Sequence, residues 1–567
     1  MPLILYWLLQ MNVAEVIDAA LPRPHGNRQG LSFGQLTVLW LTHILTQYDH
    51  RMSPVEAWAR ERHRTLEHAT GWKIDDKDLT DDRLADLLSA LGATAINETT
   101  TPHQAIESAL GRHLIRTYAL PTTVARVDTT SVSVYHGAQD RNEQPRTLLR
   151  YGHSKDGHPE RRQFIEALGT LDPAGMPLVT ATLAGQHADG PQYLPQWRRM
   201  VEVIGHANFL FVADSKLSSR RNRAELQAQG GSYLCPLAMV GKHDELLQQW
   251  VLDPQRASQP LMFDDVEWGC GFELTRAQEC EILLPNTETP QRVCWHERQL
   301  VIKSHAFAAR EIAGLEERMN KAEAALMKIA QRPDNTCAKV ETKVQRLLQK
   351  HRVTAFFETN VVEEVTHEIR QVGRGRPSAK RATREVTRTR LHLKFSRRAE
   401  AIAQAKQLAG WRIYVTNAAA ERLSLHDAVK HYRGQWQPER GFHRLKGGKL
   451  SVLPVYVDNE TRIRGLMLVL GLALRFFTLV EFVVRQALVK EQTEVAGLYD
   501  GNPKRKTKTP TTERMLKAFV NITLYCWQQD GQEVHALTPL SDLQKQLLNL
   551  MHVPETLYHV PAPKPDG

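Results

Sequence analysis

Thr122-Thr-Val-Ala-Arg-Val-Asp128-Thr-Thr-Ser-Val-Ser-Val-Tyr135 is a run of β-branched and apolar residues with one carboxylate near its middle. That composition reads as a strand. A carboxylate withdrawn from water is costly unless it is paired or bound to a cation, so Asp128 needs an explanation. A second run, Phe209-Leu-Phe-Val-Ala-Asp214-Ser-Lys216, ends another apolar strand on a carboxylate. Two aspartates in comparable places imply neighbouring strands that share a cation. The alternative for either one alone is a cap on the turn or helix that follows. Mg²⁺, or Mn²⁺ in its place, takes oxygen ligands and retains waters, which suits a site of few carboxylates plus a substrate phosphate.

Working outward, Phe164–Leu171, Pro177–Leu183 and Asn208–Val212 also read as strands, and Asp172-Pro-Ala-Gly is a hairpin turn between the first two. Gln192–Ile204 and Arg220–Gln229 read as helices, followed by a strand at Ser232–Pro236. A meander that passes into alternating strands and helices predicts an α/β fold, a mixed sheet flanked by helices. Residues 1–118 read as a helical N-terminal domain. Within it, Ser32–Thr46 and Ser53–Glu67 have apolar residues at helical spacing, and Arg51, Arg60, Arg62 and Arg64 dot the second and its approach. That domain either grips DNA or caps the main domain.

Between about 240 and 405 the alternation breaks, which marks a large insertion between two parts of one domain, 119–239 and 406–490, with a C-terminal tail over 491–567. The insertion reads as short strand-like pieces over 262–303, two long helices within Ser304–Arg352 interrupted near Pro333, and strands within Val353–Val372. A basic stretch follows, Arg374-Gly-Arg-Pro-Ser-Ala-Lys-Arg, with Arg384, Arg388 and Arg390 beyond it. It either tracks phosphates or is an exposed loop with no partner. Trp411–Thr416 resumes the strands, helices follow from Leu425 to Gln486, and the tail reads as a helix from Thr511 to about Trp527. The apolar stretch Ile463–Val484 is interrupted by Arg464, Arg475 and Glu481, so a buried helix is expected there and not a membrane span.

The third chemical element is His431-Tyr432-Arg433-Gly434-Gln435-Trp436-Gln437-Pro438-Glu439-Arg440-Gly441-Phe442-His443-Arg444-Leu445-Lys446. On a continuous helix Tyr432, Gln435, Glu439 and Lys446 share one face, with Trp436 turned into the core. Such a stripe is either an ordinary solvated face or, joined to two strand-borne aspartates, a reactive one. The net charge of +10 suits a polyanionic partner, though a merely basic enzyme has the same balance. Six scattered cysteines without a Cys-x-x-Cys pair argue against a disulfide framework or zinc site and for a reducing interior.

This order of blocks resembles the bacterial insertion-sequence DDE transposases, whose catalytic domain has an RNase H-like fold. In that group the third carboxylate lies in a Tyr-x2-Arg-x3-Glu-x6-Lys signature. Tyr432, Glu439 and Lys446 match it, and Gln435 stands in place of the Arg, keeping hydrogen bonding but losing the guanidinium charge. Tyr151-Gly-His-Ser-Lys-Asp-Gly-His-Pro-Glu, Pro454-Val-Tyr456 and Arg462-Ile-Arg-Gly465 extend the resemblance over roughly 120–485. It implies that Asp128, Asp214 and Glu439 are the catalytic residues and hold two Mg²⁺ or Mn²⁺ ions, roughly 3.5–4 Å apart, that clamp the attacking and leaving oxygens. It places Tyr432, Gln435, Lys446, His153, Lys155, Lys216, Arg433 and Arg440 on DNA. For His153 and Lys155 a polar turn remains an equal reading, and for Trp268 and Trp295 core packing outweighs stacking on a base drawn from a DNA end. The implied partners are transposon ends and target DNA, engaged by a homodimer in the bacterial cytoplasm at the nucleoid, with no membrane and no nucleotide cofactor. A nuclease of the same fold shares the acidic triad. A non-catalytic descendant would have lost a carboxylate, and a sugar hydrolase fits the basic balance poorly.

Overall fold

A computed structural model of the chain describes residues 1–22, 30–94, 100–135, 146–285, 287–333, 336–374, 376, 382–529 and 532–559. Among them, six helices open the chain: α1 (Pro2–Gln10), α2 (Val13–Ala20), α3 (Phe33–Gln47), α4 (Val55–Thr70), α5 (Asp81–Leu91) and α6 (Pro102–Thr117). Ser32 and Thr101 cap α3 and α6 through reciprocal bonds with Gln35 and Gln104. Next come β1 (Val124–Ser133), β2 (Gln163–Leu171), β3 (Met176–Ala184), α7 (Tyr193–Ile204), β4 (Leu210–Val212), α8 (Arg220–Ala228) and β5 (Ser232–Pro236). The middle of the chain forms α9 (Lys242–Val251), β6 (Gln259–Phe263), β7 (Val266–Ile282), β8 (Gln291–Ser304), α10 (His305–Gln331), α11 (Cys337–His351), β9 (Phe357–Gln371), β10 (Thr383–Arg397), α12 (Ala399–Leu408) and β11 (Trp411–Thr416). The last elements are α13 (Leu425–Arg433), α14 (Trp436–Lys446), α15 (Glu460–Glu491), α16 (Thr512–Lys517), β12 (Leu524–Gln529), β13 (Gln532–Leu537) and α17 (Asp542–Leu550).

These elements form two compact units. One comprises Met1–Cys235, Ala277–His296 and Ala428–Gly567, the other Pro236–Arg276 and Glu297–Asp427. In the first, the strand order is β3-β2-β1-β4-β5. β1, β2 and β3 form an antiparallel meander, and β4 and β5 continue it in parallel with β1. The chain is therefore α/β with a mixed sheet, as the sequence predicts. α14 packs on β1 and β2, while α6, α7 and α15 pack on β3. By length and composition α15 could cross a membrane, but 94% of its apolar window is buried inside the molecule, against α3, α5, β3, α16 and α17. Arg475, which interrupts that window, reaches Glu107 Oε1 at 2.5 Å and the carbonyls of Pro177 and Leu178.

In the second unit β11 pairs antiparallel with β8, and β6 with β7. α10 and α11 form the expected helical pair, closed by Leu315, Met319, Leu326, Val340, Val344 and Leu348 against Phe357, Leu391 and Leu393 at the base of the β9–β10 hairpin.

Four local expectations fail. Residues 262–303 hold the long strands β7 and β8 where short pieces were expected. Much of β7 is exposed and carries charged residues, which hides the strand from a search for apolar runs. The helix expected to reach Trp527 stops at Lys517, and Leu524-Tyr-Cys-Trp527 enters the β12–β13 hairpin, as its aromatic content favours. The helix through Tyr432 and Lys446 is interrupted at Gly434 and Gln435. Trp436, expected in the core, is 53% exposed. Of the basic stretch 374–381, only Arg374 and Arg376 fall within the described residues.

Candidate active site

β1 is buried at every position except Asp128, which is partly exposed. β1 and β4 pair in parallel with Arg126 opposite Val212. Continuing that register by two residues sets Asp214 beside Asp128, as the matching placement of the two carboxylates predicts. Asp214 also caps the turn after β4, so the two readings of this residue coexist. Its Oδ1 accepts from the Lys216 amide at 2.9 Å and from the Tyr193 hydroxyl at 2.6 Å. Glu439 lies in the first turn of α14. α14 sits so close to the sheet that a Cβ on Gly441 would come within 2.7 Å of Leu168 Cδ2.

The break between α13 and α14 has a physical cause in the sequence. Pro438 has no amide hydrogen, and its ring crowds the carbonyl four residues back, at Gly434. The chain responds with tighter three-residue bonds, Gly434 to His431, Gln435 to Tyr432 and Gln437 to Gly434. Pro438 then occupies the first turn of α14, where a proline is tolerated. Glu439 and Lys446 stay on one face and line the same cleft, while Gln435 turns inward. Its Oε1 accepts from Arg126 Nη1 at 3.3 Å, and its Nε2 is buried without a hydrogen-bond partner. Arg126 is itself held by both oxygens of Asp172 at 2.7 Å.

The cleft has a volume of about 650 Å³ and is lined by Asp128, Lys155, Asp156, Glu439, His443 and Lys446 among others, with Asp214 outside the lining. Burial, reinforced by the charges of Asp214 and Glu439, pushes the Asp128 carboxyl up to about 6, against the Thr129 amide bond and Lys155. The lysines do not neutralise this triad. Lys155 donates to the Thr129 carbonyl at 2.6 Å and stands 3.2 Å from Asp189 Oδ2. Lys216 also pairs with Asp189, and Lys446 pairs with Asp156. Burial alone would raise Asp189, yet bonds from Lys216 and the Thr129 hydroxyl, with the Lys155 charge, hold it below the ordinary carboxylate range. Among the described residues Asp128, Asp214 and Glu439 form no ion pair.

Of the residues expected on DNA, Lys155 and Lys446 line the cleft. His153, Tyr432, Gln435, Lys216, Arg433 and Arg440 do not. The His153 carbonyl accepts from Gln163, and Arg440 turns to Glu481 on α15 at 2.8 Å. Trp295 packs in the core with its indole N–H on the Tyr233 hydroxyl at 3.0 Å. Trp268 lies edge-on to Phe263. Sequence reasoning passed over Tyr193, Asp189 and Asp156. Asp156 lies inside a quoted block, but nothing in the sequence marks Tyr193 or Asp189 as neighbours of the aspartates.

Among the described residues no three His, Cys, Asp or Glu side chains are gathered closely enough to grip an ion as they stand. The donors at hand are carboxylate oxygens with uncompensated charge, which is the chemistry a hard divalent cation takes. No protein-family model matches the chain, and comparison with curated proteins finds no match.

Proposed function

We propose that this chain is a DNA transposase of the DDE type, with an RNase H-like catalytic domain, that cleaves phosphodiesters at DNA ends and joins them to target DNA. One observation carries the reading. Asp214, at the end of β4, and Glu439, on α14, both lie within electrostatic reach of Asp128 on β1, and among the described residues none of the three forms an ion pair, while Lys155, Lys216 and Lys446 are engaged by Asp189 and Asp156. A polypeptide tolerates such an arrangement when a cation completes it.

Asp128, Asp214 and Glu439 would hold two Mg²⁺ or Mn²⁺ ions, which supply Lewis acidity to the attacking and leaving oxygens. Glu439, on the exposed first turn of α14, is the ligand with room to adjust. Lys155 and Lys446 exchange Asp189 and Asp156 for DNA phosphates as point charges, which position the duplex without reading its sequence. The mixed strand order β3-β2-β1-β4-β5 in the first unit is compatible with the RNase H-like reading, and the net charge of +10 supports a polyanionic substrate. Joining two DNA ends in one event calls for a homodimer on DNA.

The test is Mg²⁺-dependent cleavage and joining of DNA carrying the element's ends, with Asp128→Asn, Asp214→Asn and Glu439→Gln beside the wild type. Each variant should lose at least 100-fold in rate, in line with the loss of a charge-stabilising group. Cleavage without joining would make the chain a nuclease. Variants as active as the wild type would remove the site.

A further inference from the structure

Tyr193 opens α7, is 1% exposed, and points its hydroxyl at Asp214 Oδ1, 2.6 Å away. The same oxygen accepts the Lys216 amide. Oδ1 therefore carries both of Asp214's hydrogen bonds, and Oδ2 has none among the described residues. Asp128 is likewise one-sided: its Oδ1 accepts the Thr129 amide at 2.7 Å, and among the described residues its Oδ2 takes no bond. A carboxylate on a short side chain turns about two bonds, and two donors on one oxygen hold that rotation.

We infer that Tyr193 is a positioning residue for Asp214, fixing the carboxylate through Oδ1 so that Oδ2 is the oxygen offered to a divalent cation shared with Asp128. The inference rests on the metal-site reading above. α7 packs on β1, β2 and β3, so the phenol is anchored to the same sheet that carries Asp128. A phenol is a hydrogen-bond donor at neutral pH, and here Asp214 Oδ1 is its acceptor. Asp189, four residues before α7 begins, ties the approach to that helix to β1 by accepting the Thr129 hydroxyl at 2.7 Å. Donors behind a metal ligand of this kind typically contribute 10–100-fold to metal affinity.

The experiment measures Mn²⁺ binding by calorimetry in the full chain without DNA, for wild type, Tyr193→Phe, Asp214→Asn and the double variant. Tyr193→Phe removes one oxygen and keeps the ring. It should melt within a few degrees of wild type in EDTA and bind Mn²⁺ about tenfold more weakly. In the Asp214→Asn background the same change should add nothing, because its effect runs through that carboxylate. Equal Mn²⁺ affinity of wild type and Tyr193→Phe would overturn the inference, and so would additive losses in the double variant. Collapse of the melting transition in Tyr193→Phe would assign the hydroxyl to stability alone and overturn it too. A wild type that binds no Mn²⁺ is a different failure, that of the metal-site reading itself.

Discussion

Asp128 is the residue at which the proposed function works against stability. Its carboxyl is raised to about 6 by burial and by two neighbouring carboxylates, so at neutral pH the fold holds a charge that it would shed if it could. A raised carboxylate favours folding fully only below its unfolded value near 4, and that advantage is lost as pH rises through about 6. Asp128→Asn, which cannot ionise, should therefore melt higher than wild type at pH 7.5 in EDTA. The gain should be about 1–2 kcal/mol, after allowance for solvent screening of a partly exposed group, and should vanish near pH 4. Thermal unfolding at both values checks it, and an Asn variant less stable at pH 7.5 would mean that a partner compensates the charge. Asp128 and Asp214 were legible as a pair because carboxylates stand out in apolar strands. Tyr193 and Asp189 were not, because a tyrosine at the start of an amphipathic helix and an aspartate in a turn look like many others. Only the tertiary approach of Tyr193 to Asp214, and of Asp189 to Thr129 and Lys155, brings them beside the aspartates.

The α13–α14 break carries the site at the scale of elements. A helical repeat read through 432–446 puts four side chains on one face. It finds Glu439 and Lys446 correctly, because both belong to α14, but misplaces Gln435, because Pro438 tightens the turn before it. The proline was visible in the sequence and was the signal to weigh. Strands β1 to β5 were legible for the usual reason, that strands buried in a sheet are apolar and bounded by turn residues, whereas β7 is exposed and charged and was not. Gly434 allows the break: a Cβ there would come within 2.5 Å of Arg126 Nη2. Gly434→Ala should force Arg126 away from Asp172 or α14 away from β1. The expected cost is about 1–3 kcal/mol of stability, and on the proposed function a loss of DNA cleavage larger than unfolding explains, since Glu439 rides on α14. Gly314→Ala on α10, where the added methyl has 3.5 Å to its nearest neighbour, Arg318 Nη1, should be neutral or stabilising by up to about 1 kcal/mol. Equal costs at the two glycines, by chemical denaturation, would show that the close approach to Arg126 is not tight.

For the molecule as a whole, buried charge around α15 ties pH to stability from two directions. Glu107 would be raised by burial, but the charges and hydrogen bonds of His103 and Arg475 hold it at about 2. The stability it brings is present above the ordinary glutamate value near 4.5 and is lost as pH falls toward 2. Glu166, on β2, is in the opposite state. Burial, helped by the charge of Glu107, raises it to about 8 against a single bond from the Thr182 hydroxyl at 2.8 Å. The stability associated with Glu166 is present below about 4.5 and drains away as pH rises through 8, at up to about 1.4 kcal/mol per pH unit. The two limbs cross in mildly acidic solution, and neutral pH lies on the falling side. Glu166→Gln separates them, because glutamine reproduces the shape and hydrogen-bonding capacity of the protonated acid, still accepts from Thr182, and cannot ionise. Denaturation curves of wild type and variant should nearly coincide at pH 4 and diverge steadily from about pH 4.5 to 8, with the variant the more stable by pH 8.5. Arg475 and Glu107 are untouched by the change, so the acid limb should be the same in both proteins. Curves that stay parallel from pH 5 to 8.5 would mean that Glu166 is ionised in the fold and paired with a cation.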